Sequence, residues 1–117
     1  MSMESDLFTL LQTACPRVYP DVAPSGAVMP YITWQALGGK VLRNLDNTAS
    51  DKRQTYMQIN VWSPGRLAAN ALIRQIEDLI CASSAMVGTP DGEAISIYEP
   101  ETKDFGAMQR FTITAAR

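Results

Sequence analysis

The chain has 117 residues, 46% hydrophobic and 19% charged, a composition typical of one globular domain spanning residues 1–117. A net charge of −2 argues against nucleic-acid binding, and no apolar run approaches the roughly 20 residues that a membrane span requires. The chain has no histidine, so it lacks the commonest general base and the commonest metal ligand.

The first third of the chain predicts a helix, a stiff connector and a strand. Apolar residues at helical spacing predict a helix over residues 5–15, which Pro16 ends: Leu7, Leu11 and Ala14. Residues 16–30 contain four prolines and are predicted to form an extended connector, because proline fixes φ and removes a backbone donor. Residues 31–37 alternate in polarity and predict a strand.

A polar segment separates this strand from a strand and a helix in the middle of the chain. Residues 38–54 carry few apolar side chains and are predicted to form a long loop. Residues 55–62 predict a strand with one apolar face, formed by Met57, Ile59 and Val61. Ser63-Pro64 predicts the start of a helix that runs to about Ser83. Its apolar stripe consists of Ala68, Leu72, Ile76 and Leu79, widened by Ala69, Ile73 and Ile80.

The last third predicts two more strands. Gly88 and residues 90–92 indicate a turn. Residues 93–99 predict a strand with Ile95 and Ile97 directed inward and Tyr98 outward. After a polar hairpin loop, residues 107–115 predict the final strand.

The resulting order, α-β-β-α-β-β, predicts an α+β two-layer sandwich. Each strand has one apolar and one polar face, and each helix has a single apolar stripe. We therefore expect a four-stranded, largely antiparallel sheet with both helices on one side.

Motifs for catalysis or ligand binding are weak. The densest acidic cluster lies in and beside turns and indicates a solvated surface: Asp91, Glu93, Glu99, Glu101 and Asp104. Gly38-Gly39-Lys40 lacks the spacing of a phosphate-binding loop. Cys15 and Cys81 are predicted to be buried free thiols. We therefore expect no enzymatic activity, catalytic residue, cofactor or metal.

Two features suggest a protein interface instead. The polar side of the sheet is predicted to carry four aromatic residues, which fit either an interface or ordinary cross-strand packing: Tyr31, Tyr56, Trp62 and Tyr98. Segment 40–53 is net positive through Lys40, Arg43, Lys52 and Arg53, whereas segment 91–104 has five acids against Lys103. Opposite charges at different places on one subunit suit a head-to-tail contact that can close into a ring.

The sequence also resembles a known family. Residues 17–35, RVYPDVAPSGAVMPYITWQ, resemble the signature of phage tail-completion (tail-terminator) proteins, in which an R-V-Y-P-x-x-A-P-like segment precedes a P-Y-I-like strand. Residues 56–63, YMQINVWS, and the alanine-rich residues 67–71 are similar to the strand and helix that follow in that family. The resemblance covers most of the chain, from about residue 5 to 115.

The resemblance implies a structural protein of a phage or prophage that caps the tail tube as a hexameric ring. Its implied partners are copies of itself, the tail tube protein and the head-neck connector, and its implied place is the host cytoplasm during assembly and then the virion tail. Two alternatives remain open: another neck or minor tail protein on the same fold, and a small-ligand-binding or enzymatic α+β domain.

Overall fold

Two helices and six strands make up the computed structural model, which describes residues 3–24, 26–40, 45–46, 52–101 and 104–116. No helix in these ranges is long and apolar enough to cross a membrane. In chain order the elements are α1 (Met3–Ala14), β1 (Val18–Pro20), β2 (Tyr31–Lys40), β3 (Lys52–Ser63), α2 (Arg66–Ala82), β4 (Met86–Pro90), β5 (Ile95–Glu99) and β6 (Asp104–Ala116).

The sheet is built around a long central pair of strands. β3 and β6 pair antiparallel over twelve residue pairs, from Lys52 opposite Ala116 to Ser63 opposite Phe105. β2 lies antiparallel on the outer side of β3, and the short β1 adds to β2 in parallel. β4 and β5 both pair antiparallel with β6 and occupy successive halves of the same edge.

The prediction of a four-stranded sheet is therefore wrong, because β1 and β4 add two strands. β1 lies in the proline-rich segment that was expected to be only a connector, and its three residues are too short to show alternation. β4 lies where Gly88 and Pro90 predicted a turn. Proline is tolerated there because β4 is an edge strand, in which one side of the backbone needs no ladder partner.

A single core lies between the sheet and the two helices. α2 lies across β3, β4 and β6, whereas α1 packs beside α2 and β1. The fully buried stripe of α2 is Ala69, Ile73, Ile76 and Ile80, whereas Ala68 is exposed, so the predicted stripe is rotated by about one position. Cys15 is buried as predicted, but Cys81 is exposed, and both thiols are free.

The segment between β2 and β3 is shorter than the predicted loop 38–54. β2 continues through Lys40, and β3 begins at Lys52, so the polar residues at both ends of the predicted loop belong to strands. The pairing passes from Ala36–Met57 to Gly39–Thr55, so Leu37 and Gly38 form a bulge opposite the single residue Tyr56 and the ladder continues through Gly39. The helix start at Ser63-Pro64 is also corrected, because Ser63 ends β3 and Gly65 is the N-cap of α2.

Candidate interaction surface

No described element covers the side of the sheet opposite the helices, and we call this side the open face. Alternate residues of β3 show the division: Met57, Ile59, Val61 and Ser63 are buried beneath the helices. The intervening side chains of β3 therefore lie on the open face, because successive residues of a strand point to opposite sides. These are Gln54, Tyr56, Gln58, Asn60 and Trp62.

One half of the open face is apolar and aromatic. Tyr31 lies opposite Trp62, and Trp62 lies opposite Gly106. A Cβ atom at Gly106 would come within 2.9 Å of the Trp62 ring, so glycine allows the indole to lie flat against β6. The rings of Tyr19 and Tyr31 meet edge to face, with centroids 6.1 Å apart. We call this region the aromatic end; it consists of Tyr19, Tyr31, Trp62, Ile95, Ile97 and Met108.

Two carboxylates border the aromatic end. Glu99, the last residue of β5, pairs directly with Asp104, the first residue of β6. The alternation of both strands places these two side chains on the open face. The pKa of Tyr31 is raised above 10.0, first by burial of the phenol and second by the negative charge of Asp104. The two residues are therefore close enough for the carboxylate to affect the phenol.

This proximity can be tested by titration. Asp104→Asn should lower the pKa of Tyr31 but leave it above the ordinary value, because burial is the larger cause and persists. Ultraviolet absorbance of the phenolate measures the pKa, and Tyr31→Phe identifies its contribution among the four tyrosines. An unchanged pKa in Asp104→Asn would show that the carboxylate does not reach this ring.

The end of the sheet farthest from the aromatic end is basic, and we call it the basic end. Lys52 and Arg53 are exposed at the start of β3, and Lys40 ends β2 opposite Gln54. Arg43, also predicted for this patch, lies outside the described residues. β3 separates Arg53 from the strand end beside Asp104 by roughly 33 Å, from ten residue steps at about 3.3 Å each. The two ends of one chain therefore cannot touch one another.

The register changes which predicted aromatic residues share a face. Tyr31, Tyr56 and Trp62 lie on the open face as predicted, but Tyr98 lies on the helix side. Tyr98 is paired with Phe105, with ring centroids 4.9 Å apart, and Phe105 in turn is paired with the buried Ser63.

β5 is correspondingly inverted relative to the prediction. Ile95 pairs with Met108 and is 56% exposed on the open face, whereas Ala94 packs against the core. The expected inward orientation of Ile95 and Ile97 is therefore wrong. Four members of the aromatic end were missed, because only the pairing partners reveal their side of the sheet: Tyr19, Ile95, Ile97 and Met108.

A polar cavity of about 390 Å³ lies on the helix side, between α2, β5 and the connection that precedes β5. The buried amide of Gln109 forms its base and donates hydrogen bonds to Glu77 Oε1 at 2.6 Å and to the Gly92 carbonyl at 2.9 Å. The cavity is lined further by Asn70, Arg74, Asp78, Glu93 and Ser96. Among the described side chains, no group of three or more His, Cys, Asp or Glu is arranged to hold a metal ion.

Comparisons with known proteins identify a matching family and a shared fold, each from a different comparison. A family model described as tail completion protein gp17 matches residues 3–115. A solved chain from the "Virion of native gene transfer agent (GTA) particle" superposes with a TM-score of 0.56 and 18% sequence identity, and the match covers 95% of this chain and 84% of that chain. At this identity, the superposition shows a shared fold. A comparison with curated proteins gives no significant match.

Proposed function

Because this chain belongs to the tail completion protein gp17 family and is a structural protein of a phage tail, we propose that it caps the tail tube as a ring and docks to the head-neck connector. The ring would be a hexamer, assembled in the host cytoplasm and then retained in the virion tail. This role is non-enzymatic, and its partners are copies of the same chain, the tube protein and the connector.

The physical requirement for a cap is a difference between its two sides. A tube grows because the top of each ring matches the bottom of the next ring. A capping ring must match the last tube ring on one side and present a different surface on the other. A small subunit repeated around an axis can do this with many individually weak contacts, because their effects combine once the ring is engaged.

One observation supports the proposed ring in addition to family membership. The two faces of the sheet differ in what covers them, and its two ends differ in residue composition. The helices cover one face only, and the aromatic end of the open face lies at the opposite end of the strands from the basic end. Such polarity within a subunit supports a heterologous contact, in which two different patches meet, and heterologous contacts close into rings when the rotation allows. The residues proposed for contacts between subunits or with the tube are Tyr31, Tyr56, Trp62, Lys40, Arg43, Lys52 and Arg53.

Deletion of the gene from a phage or prophage tests this function. We expect electron micrographs of the lysate to show overlong tails without heads, because tube growth would lack its stop and its docking surface. Expression of the intact gene from a plasmid is the control and should restore tails of normal length joined to heads. Normal tails after deletion would refute capping, and short or missing tails would instead favour another neck or minor tail protein.

A further inference from the structure

We infer that the basic end of one copy docks on the aromatic end of the next copy around the ring. The inference rests on the proposed ring and specifies which surfaces form its contact. The occupant of the aromatic end is thus a second copy of this chain, and the groups that it contributes are the cationic side chains at the start of β3.

The aromatic end has the residue composition of a protein interface. Ile95 is 56% exposed there, and the Trp62 ring lies over Gly106 without a described element above it. Aromatic residues are enriched in protein interfaces because they combine a large contact area with little conformational freedom to lose. The bordering carboxylates of Glu99 and Asp104 add negative charge beside this apolar surface.

The basic end has the complementary chemistry. Arg53 is exposed at the start of β3 on the same side of the strand as Met57, and Lys52 beside it is also exposed and lies on the open face. A guanidinium group can stack on the face of Trp or Tyr and at the same time pair with a carboxylate. The aromatic end provides both kinds of partner side by side.

The geometry of one chain requires that this pairing occur between copies. Roughly 33 Å of strand separates Arg53 from the neighbourhood of Asp104, far beyond the reach of an arginine side chain. Each copy therefore presents the aromatic end and the basic end at opposite ends of its sheet. Repetition of such a contact makes each copy touch two neighbours, which is the pattern of a ring.

A cysteine pair tests the contact in assembled tails. The chain would carry Arg53→Cys and Asp104→Cys together with Cys81→Ser, because Cys81 is an exposed free thiol. A disulfide requires Cα atoms about 4.4–6.8 Å apart, so the two new cysteines cannot join within one copy. We expect mild oxidation of purified tails to give a ladder of covalent multimers on non-reducing gels.

The two single-cysteine variants in the Cys81→Ser background are the controls and should give no ladder. Tails of normal length that contain the double-cysteine protein but give no ladder would overturn the docking inference and leave the capping function intact. Cross-linking of the Asp104→Cys thiol to a tube or connector protein would also overturn it. Failure of the capping function itself would be seen separately, as normal tails after gene deletion.

If the double-cysteine protein is not incorporated into tails, a charge exchange provides a second test of the contact. Arg53→Asp and Asp104→Arg should each reduce incorporation about tenfold, because each places like charges in contact. The two changes combined should restore incorporation. Double-variant incorporation no better than that of the single variants would overturn the inference.

Discussion

Phe111→Ala is expected to lower the free energy of unfolding by about 3–5 kcal/mol. Phe111 is completely buried on β6, and the register places it between Met57 of β3 and Pro90 of β4. Removal of the ring leaves a cavity where three strands meet, and a backbone held by ladders on both sides cannot move to fill it. Chemical denaturation of the purified protein measures the change.

The matched control is Val87→Ala on the neighbouring edge strand. Val87 is 69% exposed on the open face, so its truncation should change the unfolding free energy by no more than about 0.5 kcal/mol. Comparable losses in the two variants would contradict the position of Phe111 at the centre of the core.

Gln109→Leu is expected to cost about 1–3 kcal/mol, although leucine is apolar and similar in size. The Gln109 amide donates to Glu77 of α2 and to the carbonyl of Gly92, in the four-residue connection between β4 and β5. Leucine would leave these acceptors without their donor. The connection should also open more often, and hydrogen exchange at the Asp91 amide, which donates to the Arg110 carbonyl, would report that opening.

Gln58→Leu provides the control for Gln109→Leu. Gln58 lies on the open face of β3, and its amide donates to the neighbouring Asn60 side chain at 3.2 Å. It does not join separate elements, so its replacement should cost less than about 1 kcal/mol and leave exchange at Asp91 unchanged. Equal effects of the two substitutions would show that Gln109 does not fasten the edge of the sheet to α2.

The sequence predicted best the elements whose apolar pattern is long and regular. The alternation through Met57, Ile59 and Val61 identified β3 and its buried face, because this half of the strand has the helices on one side and the open face on the other. β1 and β4 were missed because a three-residue strand and an edge strand with Gly88 and Pro90 owe their pairing to neighbours rather than to their own propensity.

The sequence showed which charged residues could contribute to the candidate surface, but not which aromatic and apolar residues share it. Basic residues near the start of β3 and acidic residues near the start of β6 are visible in the sequence. Their placement at opposite ends depends on the antiparallel register of these strands. The orientation of β5 could not be predicted from its sequence. Isoleucines at alternate positions indicate a buried face, but Ile95 and Ile97 pair with Met108 and Gly106 and therefore lie on the open face.

The uninterrupted pairing of β3 with β6 makes the subunit a stiff spacer. An extended strand has a nearly fixed rise per residue, and hydrogen bonds along twelve residue pairs hold the two strands in register, so strand length sets the distance between the two ends. In a ring joined end to end, that distance would determine the circumference and hence the width of tube that the ring fits. Two residues added to each strand would widen the spacing by roughly 7 Å while keeping every side chain on its original face.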